Sequence, residues 1–154
     1  MAKESLLDHV PVTPDRVHPF PTTRESAAAA ADAYQSMLHA LLDDAWPRLD
    51  LILLGIGEDG HTASLFPHSP ALHAQDRLAV AVEPRADGEP ARVTLTMPVL
   101  LAARTVFVLA TGTKKAPAIT RAMAQTPMDD CPASALRHSA GTVTWWLDKE
   151  AAGE

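Results

Sequence analysis

The junction at residues 49 to 61 restricts this chain more than any other feature. The apolar run Leu49-Asp-Leu-Ile-Leu-Leu54 passes directly into Gly55-Ile-Gly-Glu-Asp-Gly-His61, with three glycines within six residues. A short, nearly unbroken apolar run that ends in a glycine loop suits a strand buried on both faces of a parallel sheet, because an antiparallel strand with one wet face would alternate. Such a sheet needs helices on both sides. Thr105-Val-Phe-Val-Leu-Ala110 reads as a second central strand, followed by Thr111-Gly-Thr-Lys-Lys115 and a helix to about Gln125. Leu78 to Glu83, Arg92 to Met97 and Thr142 to Leu147 read as further strands, and Pro98 to Ala103 as a helical turn. No internal repeat is evident. The order helix, strand, loop, helix, strand, loop, helix predicts an α/β fold with a doubly wound, mostly parallel sheet. In such sheets ligands sit beyond the carboxyl ends of the strands. The loops Gly55 to Phe66 and Thr111 to Lys115 are therefore expected on the same edge.

The first fifty residues read as support. Ala2 to Val10 resembles a short helix, and the proline-rich stretch Pro11 to Pro21 an extended connector, since each proline restricts its predecessor. A long helix then follows, capped by Thr22 or Thr23. Tyr34, Met37, Leu38, Leu41, Leu42 and Ala45 recur at helical spacing until Pro47 stops it. The run Ala27 to Ala31 fits helix propensity and close packing. Length bounds the rest: 154 residues, 47% of them hydrophobic, make one domain, residues 1–154, with enough apolar surface for a core.

Composition excludes several partners. No apolar run approaches the roughly 18 residues needed to span a bilayer, so no membrane association is predicted. Met1-Ala-Lys-Glu-Ser-Leu-Leu7 has neither a long apolar core nor a small-residue cleavage site, and the cytoplasm is the expected location. The lone Cys131 cannot form an internal disulfide, which fits a reducing compartment, and beside Pro132 it reads as an incidental small residue rather than a nucleophile. A net charge of -6 without a basic run argues against nucleic acid. A small anionic substrate stays open, held by a few local cations.

The two loops carry the candidate chemistry. Glycines after a buried strand permit a tight turn and close approach of a ligand to the backbone, although a turn of this kind is also often purely structural. Thr62-Ala-Ser-Leu-Phe66 reads as the first turn of a helix whose free N–H groups favour an anion. Asp59 has two readings, a carboxylate orienting His61 or an Asx-type turn residue. His61, His68 and His73 show no metal-ligand spacing, so no metal is predicted. Lys114 and Lys115 open a helix where cations oppose the dipole; they are either solvated surface residues or partners of an anion. Arg92 and Arg104 stand at strand starts, where a surface role serves equally well.

Leu53-Leu-Gly-Ile-Gly-Glu-Asp-Gly-His-Thr-Ala-Ser-Leu-Phe-Pro67 resembles the most specific motif of the glucosamine-6-phosphate isomerase/6-phosphogluconolactonase family, on the lactonase side. The likeness continues in Arg92-Val-Thr-Leu-Thr96, in Gly112-Thr-Lys-Lys-Ala116, and from Pro132-Ala-Ser to Trp146-Leu-Asp-Lys-Glu-Ala151. The resemblance implies that His61 is the catalytic base and that Lys115 and Arg92 lie at or near the substrate; Asp59 stays a candidate catalytic residue with both of its readings open. It implies no metal and no organic cofactor. The substrate would be a phosphorylated sugar lactone, 6-phospho-D-glucono-1,5-lactone. Lactone opening needs a base for water, donors for the oxyanion and an acid for the ring oxygen. The backbone from Gly60 and Thr62 to Ala63 is the expected source of the donors.

Members of the family begin with a strand and a Gly-Gly-Ser-Thr-type phosphate loop, followed by an Asp-Glu-Arg segment. This chain carries neither and resembles the C-terminal portion alone, so the sheet is expected to be incomplete at its N-terminal side. An apolar sheet edge would then invite self-association. Two alternatives accompany the lactonase reading: a non-catalytic or partner-dependent fragment, and an amino-sugar-phosphate deaminase or isomerase. Enzymes of that second kind continue with an Asn-Glu-Pro-type segment where this chain has Ser64-Leu-Phe-Pro67.

Overall fold

The computed structural model describes residues 2–21, 23–42, 46–86 and 88–154. Thr22 and Ala45, expected at the two ends of the long helix, lie outside the described residues. In chain order the helices are α1 (Ala2–Ser5), α2 (Ala27–Leu42), α3 (Met97–Ala102), α4 (Ala116–Met123) and α5 (Lys149–Ala152), with short 3-10 turns between them. The strands are β1 (Leu51–Leu54), β2 (Ala79–Val82), β3 (Arg92–Leu95), β4 (Thr105–Ala110) and β5 (Thr142–Leu147).

A three-stranded parallel sheet in the order β1-β4-β5 forms the centre. Leu51 pairs with Thr105 and Leu54 with Val108, while Ala110 pairs with Leu147. This register aligns the carboxyl ends, so that the loops after β1 and β4 leave side by side. β2 and β3 pair antiparallel as a separate sheet, Ala79 opposite Leu95. Helix α2 is tied to that hairpin: Gln35 Oε1 accepts from Leu78 N at 2.8 Å, Arg77 pairs with Asp32, and Leu38 packs against Leu78 and Val99. Thr96 Oγ1 donates to Arg77 O at 2.7 Å and closes the hairpin's base.

The cap of α2 differs from expectation. The helix starts at Ala27, and Ser26 Oγ accepts from Ala29 N at 3.1 Å. Thr23 therefore lies too far upstream to reach an unpaired N–H of the first turn.

The core lies on one face of the parallel sheet. Ile52, Leu54, Val106, Val108 and Ala110 are buried against Leu100 of α3, Ala118 and Ala122 of α4, and Leu136 of the 3-10 helix Pro132–His138. Removing Leu136 down to alanine would cost about 2 to 5 kcal/mol. The expectation that residues 49–54 are buried on both faces fails. The strand runs only from Leu51, and Leu51 and Leu53 are 50% and 59% exposed, joined on that face by Leu109 and Trp146. Phe107 meets Trp146 edge-on at 5.9 Å. The cause is directional. Among the described residues α3, α4 and the 132–138 helix all lie against the Ile52 side, and strand alternation turns Leu51 and Leu53 the other way. Among the described residues, no helix is long and apolar enough to cross a membrane.

Candidate active site

The loop after β1 folds inward on its own polar groups. Gly57 N donates to His61 O at 2.8 Å and Gly60 N to Gly57 O at 3.0 Å, giving a closed turn. Inside it Asp59 Oδ1 accepts from His61 N at 3.1 Å and lies 2.5 Å from His61 Nδ1. A side chain at Gly57 would overlap both His61 Nδ1 and Asp59 Oδ1, so glycine is required there to leave room for the pair. The two sequence readings of Asp59 thus coexist in one residue, since its carboxylate both closes an Asx-type turn and faces the imidazole.

The electrostatics set the proton's place. Partial burial pushes the Asp59 carboxyl up, but the hydrogen bonds from His61 N–H and imidazole, then the charges of His61 and Arg85, together hold it below its ordinary range. Asp59 is consequently ionised at neutral pH and only accepts. Nδ1 must be the donor, and Nε2 is left as the basic nitrogen.

Gly60 has φ 90°, and Cys131 lies beneath it with Sγ 3.9 Å from Gly60 O. Ala133 N donates to Gly60 O at 3.0 Å, pinning the loop to the 132–138 helix. Burial raises the Cys131 thiol, outweighing the lowering effects of nearby N–H groups and Arg121. This suits packing, not nucleophilic attack. Thr62 is fully buried and its hydroxyl donates to Gly55 O at 2.9 Å. The helical turn expected from Thr62 to Phe66 is absent. Ala63 takes a left-handed φ of 51°, which breaks a right-handed helix, and Leu65 N closes a tight turn onto Thr62 O at 2.9 Å. With no helix there, its N-terminal anion site falls away, and the N–H groups of Gly60 and His61 are already engaged within the loop.

Lys115 joins this loop. A cleft of about 280 Å³ is lined by Leu53 to Gly57, His61, Ala63 and Lys115. Its position is set by Asp148, which accepts from Gly112 N with both oxygens at 3.0 Å and caps α5 through Ala151 N at 2.8 Å. These backbone N–H bonds hold Asp148 below the usual carboxylate range. Lys114 is exposed, and Lys115 half-buried. Arg92, on the hairpin, is not part of this cleft's lining; it lines a separate cavity with Phe20, Pro21 and Arg24, and its guanidinium lies 5.4 Å from the Phe66 ring centroid. Arg104 pairs instead with Asp50 at 3.0 Å, at the amino ends of the strands and away from the site.

Residues that sequence reasoning passed over stand close by. The Phe66 ring lies 4.4 Å from the His61 imidazole, and the Arg85 guanidinium 3.8 Å from the Phe66 centroid. Arg121 Nη2 donates to Glu58 O at 3.0 Å. Asp148 had a signal, its place within the Trp146 to Ala151 ending, but Arg85 and Arg121 had none. His68 Nε2 and His73 Nε2 lie 3.4 and 2.9 Å from carboxylate oxygens of Asp130 and Asp129, outside the cleft. Among the described residues, no three His, Cys, Asp or Glu side chains gather as a metal set would.

A family model described as glucosamine-6-phosphate isomerases/6-phosphogluconolactonase matches residues 1–145. A 6-phosphogluconolactonase of Bos taurus is 37% identical over 147 residues, covering 96% of this chain and 57% of the relative. One from Nostoc sp. is 36% identical over 157 residues, covering 100% of this chain and 64% of the relative. The solved 6-phosphogluconolactonase from Trypanosoma cruzi matches at a TM-score of 0.83 and 33% identity, over 99% of this chain and 64% of that one. The chain thus spans 57% and 64% of the two curated relatives' lengths.

Proposed function

Because the chain belongs to the glucosamine-6-phosphate isomerase/6-phosphogluconolactonase family, we propose that it serves the hydrolysis of 6-phospho-D-glucono-1,5-lactone to 6-phosphogluconate in the pentose phosphate pathway. The observation that carries this reading is the Asp59–His61 pair opening onto a cleft that also holds Lys115. In this scheme His61 Nε2 takes a proton from water as its oxygen attacks C1. Asp59 holds the imidazolium so formed. The tetrahedral intermediate then expels the ring oxygen, which takes the proton back from Nε2. Lys115 and Arg92 hold the phosphate and so fix the carbonyl near His61. Gly60 and Thr62 would contribute by shaping the turn at the reacting carbon. No metal or organic cofactor enters the scheme.

The same reading treats residues 1–154 as one sugar-phosphate lactonase domain acting on a small substrate in the cytoplasm. Nucleic acid and membrane have no part in it. A second reading is favoured by the exposed Leu51, Leu53, Leu109 and Trp146. In that reading the chain works only with a partner, or self-associates along β1, an edge of the described parallel sheet.

One experiment separates these readings. Purified residues 1–154 are assayed for opening of the phosphorylated lactone above its spontaneous rate and for deamination of glucosamine 6-phosphate, with sedimentation in parallel. Lactone turnover without deamination supports the first reading. No turnover from a self-associated or aggregating chain supports the second, and deamination alone would overturn both.

A further inference from the structure

Arg85 lies just beyond β2, in the turn-rich stretch Glu83-Pro-Arg-Ala before Gly88, where nothing in the sequence marks it out. Its Nη1 donates to Asp59 Oδ2 at 3.2 Å, on the carboxylate whose other oxygen faces His61. Its guanidinium also lies over Phe66 at 3.8 Å, and that ring lies 4.4 Å from the imidazole. Glu89 Oε2 approaches Arg85 Nε at 3.8 Å from the outer side. One side chain therefore meets both neighbours of His61.

We propose that Arg85 is a positioning residue for lactone hydrolysis, clamping the Asp59 carboxylate and the Phe66 ring so that His61 Nε2 stays turned toward the cleft. The inference rests on His61 being the base. A carboxylate bonded through one oxygen can turn about its terminal torsion, which is broad for aspartate. With Oδ2 held by Arg85 and Oδ1 held by the His61 backbone and ring, that turn is blocked. The Arg85 charge also adds, after the hydrogen bonds and charge of His61, to the influences that lower the Asp59 carboxyl. Arginine is suited to both tasks at once. A planar guanidinium lies flat on an aromatic face while an N–H at its edge reaches the carboxylate, and an ammonium cannot do both.

The test compares wild type with Arg85→Gln and Arg85→Lys. In each, lactone kinetics are measured beside the NMR signal of the His61 Nδ1–H proton, which reports the bond to Asp59 whether or not substrate turns over. Because the ion pair is partly exposed, the expected loss in Arg85→Gln is modest: kcat falls about fivefold with KM little changed. The Nδ1–H signal weakens through faster exchange. Arg85→Lys restores the signal, because the charge at Asp59 returns, but recovers kcat only in part, because the Phe66 contact does not. A normal kcat and an unaltered signal in Arg85→Gln would overturn the proposal. So would a loss confined to KM, which would make Arg85 a substrate contact instead. If the wild-type chain opens no lactone, the lactonase reading fails by itself, and the Nδ1–H signal alone decides whether Arg85 holds the pair.

Discussion

The loop after β1 is held from within, from below and from the side, whereas among the described residues the loop after β4 is anchored through one carboxylate, that of Asp148. In the first, Gly57, Gly60 and His61 bond to one another, Ala133 fixes Gly60, and Arg121 fixes Glu58. In the second, among the described residues, the hydrogen bonding that reaches outside the loop is that of Gly112 N with Asp148. The difference matches what each loop is proposed to do. A base must meet the attacking water within tenths of an ångström, while a cation holding a phosphate acts over a longer and softer range. Over-determined geometry and a light tether are thus two answers to two tolerances.

The sharpest way to break this comparison is to remove the proposed base. His61→Ala should lower lactone opening by about 10² to 10⁴, with cooperative melting retained because the side chain is 27% exposed and outside the main core. Near-normal turnover above the spontaneous rate would take His61 out of the mechanism.

Gly57→Ala tests the rigidity itself. The added methyl has to displace the Asp59–His61 pair, and a displacement of about 1 Å should cost about a hundredfold in kcat although no catalytic group is deleted. An undiminished kcat would mean that the loop yields freely, and the contrast between the loops would lose its basis.

On the softer loop, Lys115→Ala should raise KM for the phosphorylated lactone by about tenfold or more and leave kcat nearly intact, because a phosphate remote from C1 supplies mostly uniform binding. Exposed Lys114, changed in the same way, should matter little. A fall in kcat with constant KM would assign Lys115 to the reaction instead.

The smallest effect is expected one step further out. Asp148→Ala loosens Gly112 and should raise KM by only about twofold to threefold, the size of one partly exposed contact. Its pH dependence has a definite sign. The Asp148 carboxylate is held below its ordinary value of about 3.9, so its anchoring is complete above that pH and is lost as pH falls through the depressed value. Wild type and Asp148→Ala should therefore differ in melting temperature at neutral pH and converge in strong acid. A gap that persists unchanged in acid would deny the carboxylate its role.

Most of the framework was legible in the sequence because it depends on local patterning. The bounds of β4 and β5 coincide with the apolar segments Thr105–Ala110 and Thr142–Leu147, and turn residues flank both. The meeting of the two loops followed from the parallel order, which puts successive carboxyl ends on one edge. The face of β1 was misread because Leu51 and Leu53 carry the same hydrophobicity as Ile52 and Leu54. Hydrophobicity records what a residue tolerates, not which face a helix covers. The Thr62 turn was misread because the left-handed conformation sits on Ala63, a residue that gives no warning of it. Arg85 was invisible for another reason. Its contact with Asp59 spans 26 residues and depends on how the β2–β3 hairpin docks, and no spacing rule encodes that.

Cys131 gives this arrangement a clock. Its sulfur is wholly covered, with Gly60 above it, and burial keeps the thiol in its unreactive protonated form. An alkylating reagent cannot reach it while its cover is seated, so each labelling event must wait for an opening that uncovers the sulfur, by lifting the glycine turn or shifting α4. The chain's single thiol thereby converts opening of its surroundings, the loop after β1 among them, into a mass change that can be timed, with no foreign probe introduced.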